Sequence, residues 1–432
     1  MWFKVKILYY YFCLSMHKLV TREKLETYQR RKLGKFIQKM LPRAPYYHNF
    51  LNATPHELTD LPIVDKSIFM ENFNHLNTVG IEREEAMEVA LSSEISREFN
   101  SMIREYTIGL STGTSGRRGL FLVSEDERAQ WAAFVIKNIL PFKLFNKQKV
   151  AFFLRANSNL YSSVQSAFFE FRYFDIFQPI EKLLQELDNF QPDVVAAQPS
   201  VLLDIASAQC EKTINISPAK LISFAEVLTK EDMKYIEKEL QSRISEVYQC
   251  TEGLLGYSCA EGTMHLNEEF IYFEKEWLNE NEFYPILTDF NRKTQLIIRY
   301  RLDDVLRVKS EPCKCGSPAL ALEAILGRSD DYLELSSDNG NIKIYGDLIS
   351  RIISRYTDSF IHYSITQEEK GVWIVHVDAT PNLKRDIEMK LKEAFNQLAE
   401  EKGAKLPTLI FNGPPPIPQG QKHRKIINRM RK

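Results

Sequence analysis

No apolar run in these 432 residues approaches the ~20 that a membrane-spanning helix needs. The nearest candidate is the aromatic stretch after Lys6 in "MWFKVKILYYYFCLSMHK", which is too short and lacks the small-residue cleavage site of a signal peptide. It reads as an aromatic helix docked on the protein, with a helix lying on a membrane surface as the alternative. No transmembrane segment and a cytoplasmic location are therefore expected. An excess of one charge is also missing, since 56 Lys and Arg against 57 Asp and Glu leave a formal −1. That balance excludes a protein built mainly to wrap nucleic acid, although the tail "QKHRKIINRMRK" is strongly basic. Six cysteines in so long a chain make no disulfide framework. Cys13 and Cys210, in apolar or helical surroundings, read as packing residues. Internal repeats and low-complexity linkers are absent as well. With 44% hydrophobic and 26% charged residues, the chain has the material for one large α/β domain and a smaller one.

What is present begins with alternation. "KVAFFLRA", "FEFRYFDIF" and "PDVVAAQ" have the β-rich character of strands, and "KLISFAEVL" contains another. Between and after them, "IEKLLQELDNFQ", "SVLLDIASAQCEK" and "KEDMKYIEKELQSRI" read as helices. Strands alternating with helices imply an α/β domain with parallel pairing. Past Arg328 the pattern changes to alternating strands, "SFIHYSITQ" and "VWIVHVDA", and then a helix. Its Ile387, Leu391, Phe395 and Leu398 share one face, and Gly403 closes it. The division expected is 1–328 and 329–432, with a short hinge at "GRSDD".

The stretch "STGTSGRRG" (111–119) concentrates unusual chemistry. Gly113, Gly116 and Gly119 allow close backbone approach, so successive N–H groups can converge on an anion. Ser111, Thr112, Thr114 and Ser115 add hydroxyls, and Arg117 and Arg118 add charge. This suits a polyphosphate, but it is not the common G-x-x-x-x-G-K-[ST] loop, whose lysine is missing. Alone, the segment serves equally as a solvated turn between two strands. Further on, Tyr248 precedes Thr251 and Glu252 at a strand end. There a carboxylate can hold Mg²⁺ against phosphate oxygens and a hydroxyl can bond phosphate, or the pair is simply exposed. "LIIRYRLDDV" ends in two aspartates, and a carboxylate at that point can accept both hydroxyls of a ribose. "ILGRSDD" offers Arg328 for ribose or phosphate, and Lys422 sits among turn residues in the tail.

The order and spacing of these segments resemble the adenylate-forming superfamily, which includes acyl-CoA synthetases and peptide-synthetase adenylation domains. Within it, "RYRLDDV", "CKCG" and "LGRSDD" are most similar to the phenylacetate–CoA ligase branch and to coenzyme F(390) synthetase, from about residue 60 onward. The resemblance implies a large N-terminal α/β adenylate-forming domain with a small mobile α+β C-terminal domain. It implies that Ser111 to Gly119 hold the β- and γ-phosphates of ATP, and that Ala225 and Glu226 line the adenine. Tyr248 would stack near the adenine, Thr251 would touch the α-phosphate, and Glu252 would bind Mg²⁺. Asp304 keeps the family's distance from Tyr300 and would hold the ribose, assisted by Arg328. Asp330 would be the hinge, and Lys422 the lysine bridging substrate carboxylate and phosphate. Two departures stand out. Arg117 and Arg118 replace the usual loop lysine, keeping the charge on a planar fork. "QKHRKI" replaces a Gly-Lys pair, so Lys422 shares its segment with Arg424 and Lys425.

Four more residues form a set. Cys259 and His265 lie in one loop, and Cys313 and Cys315 lie in "PCKCG". One His and three Cys can close a tetrahedral structural zinc site, and some phenylacetate–CoA ligase relatives carry a metal here. Otherwise they are four reduced residues near one another by chance. Cys250 reads as a packing residue. The implied activity is ATP-dependent adenylation of a carboxylic acid with pyrophosphate release, then transfer to CoA or a carrier thiol. One alternative is an adenylyltransferase placing AMP on a coenzyme-like hydroxyl. Another is a catalytically silent nucleotide-binding protein. Phe152, Phe153 and Tyr161 are compatible with an aryl acid, though aromatics there are more often core.

Overall fold

The computed structural model of the chain describes residues 2–51, 58–96, 101–110, 119–140, 147–154, 169–226, 228–328, 332–338, 340–346, 349, 352–353, 362–378, 381–415 and 425–430. Five strands run parallel in the spatial order Phe169–Asp175, Gln148–Leu154, Val194–Ala197, Lys220–Phe224 and Ile244–Cys250. The sequence forces both faces of this sheet to be covered. Successive side chains point to opposite faces, and runs such as Val194-Val195-Ala196-Ala197 are apolar on both. Val195, Ala197, Ala151 and Leu221 pack under the helices Ile180–Phe190, Pro199–Cys210 and Lys230–Leu240. Val150, Val194, Ala196 and Ile222 face the helix Glu125–Asn138, on which the first helix, Trp2–Met16, is laid.

After Cys250 the chain doubles back. Gly253–Ser258 pairs antiparallel with Ile244–Cys250, and the same sheet continues through Met264–Leu266, Ala321–Arg328, Asp304–Val308, Glu282–Asp289 and Ile271–Trp277. The face of this half packs against the second helix, Arg22–Met40, through Tyr28, Phe36 and Met40. That helix is capped by the Thr21 hydroxyl, which accepts from the Lys24 amide.

Residues from Tyr332 onward build a separate core. A hairpin, Tyr332–Ser337 with Gly340–Tyr345, precedes a four-stranded mixed sheet ordered Thr408–Asn412, Val372–Val377, Tyr363–Glu369, Ile426–Asn428. The helix Pro381–Glu401 lays Ile387, Leu391, Phe395 and Leu398 on it, with Trp373 meeting Phe395 edge-on at 5.5 Å. The face read from the sequence is the face that is buried. The architecture is thus mixed α/β, one large sheet-bearing part followed by a smaller α+β part.

One carboxylate sits awkwardly in the large sheet. Glu246 lies on the strand Ile244–Cys250 opposite Ser223 of its neighbour, and burial pushes its carboxyl up to about 7. A group raised in the folded state stabilises fully below its unfolded value, about 4.5, and that contribution is lost as pH rises through about 7. Glu246→Gln should therefore raise Tm by about 3 °C at pH 8 and by almost nothing at pH 5, as measured by thermal unfolding at both.

Candidate active site

Residues Ser111, Thr112, Gly113, Thr114, Ser115, Gly116, Arg117 and Arg118, together with Tyr161, Asp330, Lys422 and Arg424, lie outside the described residues, as does the side chain of Arg328. The strands flanking 111–118 are described. Tyr106–Leu110 and Leu120–Val123 pair antiparallel, with Leu110 opposite Leu120. The second is held firmly: the Leu122 amide donates to Gln295 Oε1 at 3.0 Å, and its carbonyl accepts from Arg292 at 3.2 Å. Ser124 then caps the helix Glu125–Asn138 reciprocally with Glu127. The buried Glu127 carboxylate also accepts from the Lys293 and Thr294 amides at 2.6 and 3.0 Å. The base of the glycine-rich segment is therefore tied to the 291–295 loop.

That base opens onto the Thr251–Glu252 turn. Gly119, Leu120, Thr251, Glu252, Tyr300 and Lys66 line one pocket. Thr251 and Glu252 are the two residues between paired Cys250 and Gly253, so the hairpin reversal itself presents them. A register shift between Tyr248 and Gln249 marks a bulge just before the turn, a device that re-aims side chains. The Tyr248 hydroxyl donates to Asp304 Oδ2 at 2.5 Å. Asp304 stands opposite Arg328 in the strand register. Its neighbour Asp303, with a side chain 62% exposed, turns to Arg301 at 3.4 Å instead.

The electrostatics follow from enclosure. Burial first, and the Asp304 carboxylate second, push the Tyr248 phenol far above its usual value. Burial and then Glu252 do the same for Tyr300, and for the Cys250 thiol, which is inert. The Tyr248 phenol stays neutral and donates to Asp304, fixing where that carboxylate points, and Glu252 lies beside the Tyr300 phenol.

The neighbouring strand, Lys220–Phe224, ends on the same side of the sheet. Ala225 has φ of +70°, a strained left-handed conformation for a residue with a side chain. Glu226 follows, and its carboxylate accepts from the Ser200 amide at 3.3 Å, at the start of the helix Pro199–Cys210. A cation from the C-terminal part meets this region. Lys425 Nζ is 2.8 Å from Asp232 Oδ2 and 5.2 Å from the Tyr363 ring centre. Burial opposes its charge, but Tyr363, Asp232 and then Glu226 outweigh that and raise its pKa. Sequence reasoning singled out Lys422 and named Lys425 only as a neighbour. Lys425 directly precedes the strand Ile426–Asn428, whose pairing with Tyr363–Glu369 only the structure reveals. The other aromatics named from the sequence are packing groups: Phe153 is fully buried against Phe174, and Phe152 stacks on Phe224.

The Cys and His set converges. The ligand atoms of Cys259, His265, Cys313 and Cys315 all lie within 4.8 Å of one another. Cys259 and Cys313 sulfurs are 3.7 Å apart, and Cys315 Sγ is 3.4 Å from His265 Nε2. Tetrahedral edges around zinc, at Zn–S of ~2.3 Å and Zn–N of ~2.0 Å, are about 3.5–3.8 Å, so the donor set fits. His265 Nδ1 lies 2.9 Å from the Ala319 carbonyl, which favours the tautomer that leaves Nε2 free to ligate.

No protein-family model matches the chain. Protein CapK of Staphylococcus aureus is 26% identical over 202 residues, 46% of this chain and 43% of that protein. A phenylacetate–coenzyme A ligase of Thermus thermophilus is 22% identical over 208 residues, 44% of this chain and 45% of that one. The matches thus span less than half the length of either curated relative. Among solved structures, 2-hydroxyisobutyryl-CoA ligase in the postadenylation state with 2-HIB-AMP superposes with a TM-score of 0.72 at 17% identity, covering 94% of this chain and 90% of that one. The same ligase with 2-HIB-AMP and CoA in its thioesterification state gives 0.55 at 16%, again over 94% and 90%.

A second contact joins the two parts of the molecule: His362 Nε2 lies 3.3 Å from Asp204 Oδ1. Burial disfavours the imidazolium, but Asp204 outweighs it, and the pKa rises above 6.5. The contribution is complete below about 6.5 and fades as pH climbs through the raised value. Asp204→Asn should lower Tm by about 2 °C at pH 6 and by clearly less at pH 8.5 in thermal scans.

Proposed function

We propose that the chain is an adenylate-forming enzyme, like the phenylacetate–CoA ligase and the 2-hydroxyisobutyryl-CoA ligase it resembles, and that it activates a carboxylic acid with ATP and passes the acyl group to CoA or another thiol. The observation that carries this reading is the single pocket uniting Gly119 and Leu120, where the glycine-rich segment ends, with Thr251, Glu252 and Tyr300. A carboxylate is a poor electrophile. Its oxygen attacks the α-phosphorus of ATP, the bond to pyrophosphate breaks, and a mixed anhydride with AMP forms. A thiolate then attacks the acyl carbon and AMP leaves.

Positioned charge does most of the work in such a step. Residues 111–119 would bind the β- and γ-phosphates, and Thr251 the α-phosphate. Glu252, oriented beside the Tyr300 phenol, would hold Mg²⁺, which neutralises phosphate charge when bound. Asp304, fixed by Tyr248 and supported by Arg328, would take the ribose, and Ala225 with Glu226 the adenine. Lys422 would bridge the acid carboxylate and phosphate, carried on the segment that Lys425 anchors. The 1–328 part would bind both substrates, and the part from 329 would turn between the two half-reactions at Asp330. A ligase of similar fold, solved with 2-HIB-AMP and with 2-HIB-AMP and CoA, supports this order of events.

Cys259, His265, Cys313 and Cys315 would hold a structural zinc ion. It would pin the 259–263 turn to the 313–315 loop and so steady the strand that begins directly after Glu252.

Pyrophosphate release from ATP and Mg²⁺ across a panel of aryl and aliphatic acids, with and without CoA, tests the reaction, with mass spectrometry of the products. Acid-dependent pyrophosphate and an acyl-CoA are expected, and AMP attached to a hydroxyl acceptor without thioester would contradict the ligase reading. Glu252→Gln should cut turnover by about a hundredfold or more in the same assay. For the metal, elemental analysis should find about one zinc per chain, falling to near zero in Cys313→Ser/Cys315→Ser with a clear loss of Tm.

A further inference from the structure

The first helix has two apolar faces. Ile7 and Leu14 are buried toward the helix Glu125–Asn138, with Phe3, Tyr10 and Tyr11 packed beside them. The docking is specific: Lys6 pairs with Glu125 at 2.9 Å, the Tyr10 hydroxyl donates to Asp126 at 2.7 Å, and Lys137 donates to the Leu14 carbonyl at 2.7 Å. Trp2, Val5, Tyr9, Phe12 and Met16 recur at intervals of three and four and so share the opposite face, with Leu8 beside them. They are bare, from 51% exposed at Val5 to 78% at Trp2. Among the described residues, seven of the fifteen exposed large hydrophobics fall between Trp2 and Val20. A patch this concentrated marks an interaction surface.

Charge decides what it meets. Residues 1–43 hold eleven Lys and Arg and only two acids, a net +9 in a chain whose total is −1. Sequence reading noticed the charge of the tail but not that of this stretch, because the overall balance conceals it. Lys4, Lys18, Lys24, Arg30, Arg31 and Lys35 are all exposed. A second copy of the chain would set this positive segment against itself. A surface rich in anionic lipid accepts both features: apolar and aromatic groups enter the headgroup boundary, and lysine and arginine meet the acidic headgroups. We propose that the first helix lies on an anionic bilayer surface, Trp2–Met16 face inward, holding the enzyme at the membrane without crossing it. No helix among the described residues is long and apolar enough to cross.

Flotation of the full chain with vesicles tests this. The parent should float with phosphatidylcholine vesicles containing roughly one-third phosphatidylglycerol, and about tenfold less with pure phosphatidylcholine or in high salt. Trp2→Ser/Phe12→Ser/Met16→Ser should lose flotation by about tenfold or more while keeping its circular dichroism spectrum and Tm, because none of the three side chains is buried. The idea is overturned if the parent stays unbound, if the triple variant floats equally well, or if neutral vesicles bind as strongly. It is also overturned if light scattering finds a parent dimer that the triple variant makes monomeric, since a second copy would then cover the face.

Discussion

Parallel pairing of Lys220–Phe224 with Ile244–Cys250 is the constraint on which the candidate site depends. Because the strands run the same way, with Phe224 beside Val247, their carboxyl ends emerge along one edge. Ala225 and Glu226 follow the first, and Thr251 and Glu252 follow the second. Ligands of open α/β sheets bind outside such carboxyl ends. The reversal at Cys250–Gly253 adds what a purely parallel sheet lacks: the return strand leads into the antiparallel half, from which Tyr300 and Asp304 reach back to Glu252 and Tyr248. The Tyr248 phenol and the Asp304 carboxylate thus fix one another within the fold itself, which is preorganisation in its simplest form.

The smaller part meets this edge through charge. Among the described residues, Lys425 on Asp232 and His362 on Asp204 contact two successive helices of the large part. Either ion pair can be broken without disrupting the core of the smaller part, since Trp373, Leu391 and Phe395 are buried within that part itself. That suits the proposed reaction, whose two half-reactions would need different faces over the same site.

Much of this was legible in the sequence for a physical reason. Strands buried on both faces read as unbroken apolar runs, and Val194–Ala197 is one. The Pro381–Glu401 helix, covered on one side, shows its face at Ile387, Leu391, Phe395 and Leu398. The Cys and His set was legible because its members come as two local pairs. Three things were not. The order of the antiparallel strands depends on pairings far apart in sequence, which leave no local pattern. The first helix is apolar nearly all round, so periodicity could not separate the docked side of Ile7 from the open side of Phe12. Lys425 looked like one charge in a basic tail, and only tertiary folding gives it Asp232 and Glu226.

Hydrogen–deuterium exchange with and without ATP and Mg²⁺ tests the central claim most directly, because that claim is that four separate segments form one nucleotide site. Protection should appear together in 119–123, 225–232, 248–253 and 425–428. Protection confined to one of these, or none despite ATP binding, would contradict it.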